Sequence, residues 1–483
     1  MHEGNETIDL REEERPGKLG LAPLRRRLLS GSAWALGGKV ATTISGLATM
    51  ALLARLLSPQ DLGAYFLAMS VVITGATVGS LGINHVAVRF VSESMGSHQY
   101  LRARHVVGRI VCISVLGALA AAAIYLALGN LLGNGVFHVS ALASATELLA
   151  LWIAVVALQG VLADILRGFQ DIRLATIFSG PTTGIGNGPA TGILLAVCLL
   201  VLWLASGRAS LATVVLLAAA SVGLCVLLAS WFVADKVVSL PRQGDRDVIG
   251  TRQLVHVAWP LLLTSLVLFV QTQTEIWIVA AFRSPEEVAI YGAASRIVYF
   301  VGVPLVIVNS VVTPFISQLY AQGRREELQG ALRYIAALAG IPGFLVASGF
   351  LLFGGHILAL VFGDFYQQAA TVLTVLSIGL LVSVWVGSGG FTLMMTGHQV
   401  LAMAIATTSA AITAAAALVA VGPYGLTGVA VASGGGWAMQ NILMWLATKY
   451  KTGMWTHVGY IDLIRSVRSE GTPVRLRSQN DFN

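Results

Sequence analysis

Polar residues interrupt this chain at regular intervals. From about Leu28 to about Thr448, long apolar stretches follow one another, each stopped by a few turn-forming or charged residues. About 20 mostly apolar residues cross a bilayer as a helix. Cutting at turn signals and charge clusters predicts twelve helices, near 28–56, 61–91, 105–132, 144–167, 174–203, 209–235, 254–283, 287–318, 330–361, 367–396, 399–421 and 425–448. The fold class is an all-α polytopic membrane protein. The first stretch is too long for a signal-peptide core and has no evident cleavage site, so it reads as a retained helix.

One polar interruption is written twice. Residues 58–68 read SPQDLGAYFLA and residues 284–294 read SPEEVAIYGAA. Ser58 suits an N-cap, Pro59 suits the first helical position, and Asp61 is spaced to close a capping box; Ser284, Pro285 and Glu287 repeat the device. Tyr65 and Tyr291, one turn further on, are expected at the depth of the aromatic belt. Other echoes fall at nearly the same offset of about 226 residues: Trp34 with Trp259, Gly96–Leu101 with Gly323–Leu328, and GFQ at 168–170 with GHQ at 397–399. The spacing predicts a duplication of six helices. Six is even, so both halves enter the membrane in the same sense, as a parallel repeat with the substrate site between the lobes. The expected organisation is an N-terminal tail at 1–27, an N-lobe at 28–235, an interlobe linker at 236–252, a C-lobe at 253–450 and a C-terminal tail at 451–483.

Composition agrees with the pattern. The 483 residues are 56% hydrophobic and only 11% charged, with a mean hydropathy of +0.78; a soluble domain carries about 25% charged residues. Lys and Arg gather in alternate connections, at Arg102 and Arg104, Arg167 and Arg173, Lys236 to Arg252, and Arg324 and Arg325, while 133–143 and 354–366 hold neither. Short cytoplasmic loops carry that excess, so both termini are expected to be cytoplasmic. The same bias accounts for the sequence pI of about 9.5 without nucleic acid as a partner. Cys112, Cys198 and Cys225 show no metal-ligand spacing and read as packing residues. No metal and no cofactor is expected.

The stretches ALLARLLSPQDLGAYFLA and GINHVAVRF, with RGFQDIR further on, resemble the polysaccharide-flippase branch of the multidrug/oligosaccharidyl-lipid/polysaccharide exporter superfamily. The resemblance covers about residues 28–450. It implies twelve helices in two lobes, alternating access, a central cavity lined by the first and seventh helices, and a bacterial cytoplasmic-membrane location.

An ionisable residue deep in a span costs about 2.5–3.5 kcal/mol on insertion scales and marks a functional position by default. Lys39 lies about eleven residues into the first helix, near mid-membrane at 1.5 Å per residue; Arg296 reaches similar depth in the eighth. Ser32, Thr42, Thr43, Gly46 and Thr49 share the Lys39 face, and the seventh helix carries Gln271, Gln273, Thr274 and Glu275. The offset equates Glu275 with Thr49, which predicts two polar stripes facing the pseudo-symmetry axis. Lys39, Arg296, Thr42, Thr49 and Gln271 are the candidate substrate-binding residues, and Glu275 the candidate for coupling to H+ or Na+. Each has a structural alternative: either cation could neutralise Glu275 or snorkel, and Glu275 could bind across the lobes. Arg89 with Glu93 and Asp164 with Arg167 read as helix-end pairs. SGPTTGIGNGPATG, residues 179–192, should kink or unwind the fifth helix. From Gly453 on, Ile461, Ile464 and Val467 beside Arg465 and Arg468 suit a segment lying on the inner leaflet.

The expected activity is that of a flippase, not an enzyme, carrying a lipid-linked oligosaccharide outward among membrane lipids. The undecaprenyl-pyrophosphate carrier follows from the resemblance; the midplane cations supply an anionic preference. Two rivals remain open. A cation-coupled drug exporter of the same superfamily would favour an acidic cavity, and a membrane glycosyltransferase or polymerase would need a larger external loop.

Overall fold

The computed structural model describes residues 21–180, 188–241 and 250–458, without the side chains at 21–36, 264, 268–271, 310–315 and 318. The C-terminal amphipathic segment, most of the N-terminal tail, residues 242–249 of the interlobe linker, and the side chains of Ser32, Trp34 and Gln271 therefore lie outside the described residues. In order, the spans are Leu21–Leu56, Pro59–Gly79 continuing as Ile83–Gly96, Tyr100–Asn130, Thr146–Gly168, Ile172–Ile177 continuing as Pro189–Ser206, Leu211–Ser239, Thr251–Phe282, Pro285–Ala321, Arg325–Phe362 and Ala370–Val386 continuing as Gly389–Met395. The last helix, Gln399–Thr452, holds a non-helical Gly425 that divides it into the eleventh and twelfth spans. Among the described residues, nine helices are long and apolar enough to cross a membrane and the bent seventh makes ten. Splitting the last and adding the first gives the twelve.

The doubled turn does what its sequence dictates. Ser58 caps the second span, accepting from the Asp61 N–H at 3.2 Å while its hydroxyl donates to Asp61 Oδ2 at 2.8 Å. At the second copy, the Glu287 N–H donates to Ser284 Oγ at 3.4 Å and the Ser284 N–H returns to Glu287 Oε2 at 3.3 Å, a reciprocal capping box. Tyr65 and Tyr291 are not in an aromatic belt. They are 1% and 0% exposed, because each points into its own lobe: Tyr65 packs on Trp152 with ring centroids 6.0 Å apart, and Tyr291 reaches Glu275.

The duplication is also written in the backbone. Left-handed residues recur in pairs near the repeat offset: His98 with Gly323, His138 with Gly363, Gln170 with Gly397, and Gly207 with Gly425. Each stands where one span turns back into the next, so equivalent hairpins reverse by the same device, with glycine in all four second members or partners where the conformation is cheapest.

The lobes join through the two copies of the turn. Gln60 Nε2 donates to Glu286 Oε1 at 2.6 Å. A Cβ on Gly63 would fall 1.8 Å from the Pro285 carbonyl oxygen, and one on Gly292 would fall 2.2 Å from Phe66. Gln60 with Glu286, and Phe66 with Gly292, are equivalent positions 226 residues apart. Equivalent residues meet where a pseudo-twofold axis passes. Further along, Trp277 Nε1 donates to Ser70 Oγ at 2.8 Å, and Gly82 packs so tightly on Ala258 and Leu262 that a Cβ would fall 2.4 Å from the Ala258 carbonyl.

Candidate functional site

Arg296 sits on this interlobe seam. It is buried, with Nη2 4.0 Å from Met69 Sδ and its guanidinium carbon 6.0 Å from the centre of the Phe66 ring. A crevice of about 10 Å³ separates it from Gly46, Leu47 and Met50 of the first helix and Phe362 of the ninth. Lys39 lies seven residues before Gly46, about 10 Å along the same helix, and is partly exposed. Seven residues are two turns, so Lys39 and Gly46 share a face of that helix.

The rest of the first-helix stripe is engaged elsewhere. Thr42 donates to the Gly38 carbonyl at 2.9 Å, and Thr49 turns toward the fifth span, 3.5 Å from the Gly192 carbonyl. Gly46 faces the axis; Thr49 does not. The fifth span is interrupted as its prolines and glycines predict: helix stops at Ile177 and resumes at Pro189, with 181–187 outside the described residues. Gly38 fits this interruption closely, since a Cβ there would lie 2.1 Å from Thr176 and 3.8 Å from Pro189.

Glu275 turns into the C-lobe instead of the seam. It is 6% exposed. The Tyr291 hydroxyl donates to its Oε2 at 2.7 Å and lies 3.2 Å from Ser433 Oγ. Oε1 is buried without a hydrogen-bond partner among the described residues. Beside it, Thr413, Gly436 and Gln440 line a crevice of about 10 Å³, room for about one water. Among the described residues Glu275 makes no ion pair. The repeat explains its direction: Thr49 and Glu275 are equivalent, and each turns into its own lobe.

The helix-end pairs are split. Asp164 and Arg167 pair as spaced. Glu93 does not take Arg89; it takes Arg102 across the next turn at 3.2 Å, while Arg89 lies over the Phe90 ring. A hairpin brings Arg102 to the same end as Glu93, and helical spacing alone does not show that. RGFQDIR also acquires a physical reading. Gln170 takes φ +62°, and Asp171 caps the next helix through the Leu174 N–H at 3.1 Å and pairs with Lys236 at 2.8 Å. Spacing does not show Tyr291 and Ser433 as partners of Glu275; the doubled Tyr is the available signal, and its depth alone points to the aromatic belt.

With the fold and the seam defined, the relationships of the chain become informative. The sequence profile of the polysaccharide biosynthesis protein family matches residues 28–320. The chain belongs to that family. The MatE profile matches residues 260–420, and no curated protein matches the chain. In fold it is similar to an inward-facing multidrug resistance MATE family transporter of the MOP superfamily, at 16% identity and TM-score 0.67, over 87% of this chain and 98% of that one. It is also similar to a MOP superfamily transporter from Pyrococcus furiosus described with a reversed polarity of its binding pocket, at 16% identity and TM-score 0.61, over 88% and 95%. A third similar structure is the Vibrio cholerae MATE transporter VcmN in a bent form, at 17% identity and TM-score 0.57, over 89% and 97%. At these identities the likeness speaks for the fold. Family and fold together make this chain a multi-pass membrane protein of the polysaccharide biosynthesis protein family with the fold of those transporters.

Proposed function

We propose that the protein is a flippase that carries an undecaprenyl-pyrophosphate-linked oligosaccharide from the cytoplasmic to the external leaflet of a bacterial cytoplasmic membrane. What supports this reading is where charge lies: Arg296 occupies the seam and Lys39 stands partly exposed on the first helix seven residues before Gly46, while Glu275 is withdrawn into the C-lobe. A pyrophosphate needs partners of that sign in a low-dielectric cavity. Lys39, partly exposed, receives the head group first; Arg296, buried in the closed seam, receives it as the lobes part around the doubled turn. The basic connections orient the chain with both termini cytoplasmic. An inside-negative potential then favours outward passage of the anion by about 2.3 kcal/mol per charge per 100 mV. Glu275 exchanges H+ or Na+ with access, beside a space of single-ion size.

Flipping in vesicles tests the reading. Lys39→Ala and Arg296→Ala should each slow delivery of sugar to the outer leaflet about tenfold, and Lys39→Glu should do worse by repulsion. Combining either with Glu275→Gln should not restore the rate, because Glu275 has its own partners. Full restoration in a double variant would return that cation to a structural role. The second reading, a multidrug exporter, draws on the MatE match; proton- or sodium-driven efflux of an organic cation dye that survives Lys39→Ala would favour it.

A further inference from the structure

Two helix breaks face each other in the N-lobe. The second span breaks at Ser80, with Leu81 and Gly82 both left-handed at φ 51° and 70°, and the fifth breaks after Ile177. Between them lies a cavity of about 120 Å³ lined by Ile73, Thr77, Ser80, Asn84, Gly160 and Gly180. Irregular backbone at membrane depth is tolerated where it is buried in protein or lines a cavity. Here it lines one.

The cavity lies along the face of the second helix that meets the other lobe. Phe66, Ser70, Ile73, Thr77 and Ser80 follow one another at spacings of three and four, which puts them on one face of the second helix. Phe66 and Ser70 on that face meet Gly292 and Trp277 of the other lobe. The cavity is the next feature along it. Its lining carries hydrogen-bonding groups and no formal charge. Thr77 and Ser80 donate to the Ile73 and Thr77 carbonyls at 2.8 Å each, which leaves their oxygens free to accept. Asn84 makes no hydrogen bond among the described residues, and its Oδ1 is buried. A buried carboxamide oxygen left unmet costs free energy, so a ligand hydroxyl that donates to it gains what the apo protein forgoes.

The rim is held in place from behind. Gln159 Nε2 donates to the Ser179 carbonyl at 3.2 Å and to Thr191 Oγ1 at 2.7 Å, tying both sides of the fifth-helix break to the fourth helix. Gly38, the neighbour of Lys39, packs against that same break from the first helix. A head group at Lys39 and a group in the cavity would therefore flank one break.

We infer that this pocket between the second, fourth and fifth helices holds an uncharged sugar residue of the cargo, with the Asn84 carboxamide as its main hydrogen-bonding partner and Gln159 as a positioning residue. The inference rests on the flippase reading. A space of about 120 Å³, against about 10 Å³ beside Glu275, holds several waters, whose places sugar hydroxyls would take. Lys39 and Arg296 set the anion requirement; the pocket sets discrimination among saccharides.

The test uses the full chain in lipid nanodiscs and two kinds of probe: a polyprenyl pyrophosphate bearing one sugar, N-acetylglucosamine or galactose, and the same lipid pyrophosphate without sugar. Wild type should bind at least one sugar-bearing probe on the order of tenfold tighter than the bare one. Asn84→Leu should bring that preference to within about twofold, with affinity for the bare probe unchanged. Gly160→Ala should act in the same direction, since its methyl would stand 3.3 Å from Asn84 Nδ2, and it carries the test if Asn84→Leu does not fold. Equal loss for both probes, a preference retained in the variants, or no preference in wild type would overturn the pocket while leaving the flippase reading standing. Failure of wild type to bind any probe would overturn the flippase reading, and the pocket with it.

Discussion

Asp171 and Glu275 are carboxylates held by opposite means. Burial of Asp171 acts to raise its pKa, but the Lys236 ammonium and the Leu174 N–H together outweigh it and hold the carboxyl below its ordinary value. A depressed carboxyl contributes stability that is complete above its unfolded pKa, about 3.9, and lost as pH falls through the folded value. Asp171→Ala should cost about 1–2 kcal/mol from the lost cap and ion pair. In thermal melts of purified protein, the deficit of Asp171→Asn should shrink as pH drops below about 4. Among the described residues Glu275 has no cation beside it, and it is held by a tyrosine hydroxyl. Glu275→Gln keeps an acceptor for Tyr291, so it should fold normally, bind the head group and yet lose dependence on the ion gradient. Gradient-driven transport at the wild-type rate by that variant would make Glu275 structural.

Among the elements, the second and eighth helices carry the closure of the seam. Gly292 admits Phe66 and Gly63 admits the Pro285 carbonyl, so the two N-termini approach more closely than any side chain would permit. Gly292→Leu should force them apart. Cysteines placed by Gln60→Cys and Glu286→Cys should cross-link readily and halt transport until reduced, and Gly292→Leu should lower the cross-linking yield. Efficient transport by the cross-linked protein would show that this junction need not open. The tenth helix shows how a break is stabilised: Gly387 takes φ +80°, and the stretch after the twelfth helix fills the gap, with Thr456 donating to the Val386 carbonyl at 3.0 Å and the Val458 N–H to that of Trp385 at 3.1 Å. These contacts satisfy carbonyls that a continuous helix would have satisfied itself.

For the molecule as a whole, direction of transport depends on orientation. In a background lacking Cys112, Cys198 and Cys225, single cysteines at Asn134 and Ser284 should react with an impermeant thiol reagent added outside intact cells, and one at Gln243 should not. Labelling at Gln243 would reverse the orientation and with it the direction of flipping. The six-plus-six repeat requires Asn134 and Ser284 to label alike, because both turns belong to the same side of parallel lobes.

The amino-acid order alone carries the membrane class, the twelve spans, the duplication and the sharp helix starts at Ser58 and Ser284. These follow from hydrophobic length, capping chemistry and offset, all of which are local or periodic and survive without tertiary knowledge. It also marked the fifth-helix break, because Pro and Gly act on their own backbone. Where polar side chains point is set by packing between helices. Tyr65 and Tyr291 look interfacial by depth, yet a neighbouring helix inside each lobe claims them. Thr49 and Glu275 share a face with seam residues on a helical wheel, but the packing partner sets which side of that wheel meets the axis. Glu93 found Arg102 through a hairpin, and Asn84 gained meaning only when two breaks far apart in the chain met around it. Helical periodicity fixes which residues share a face; only the neighbours packed on that face decide whether it looks into a lobe, across the seam or into a cavity.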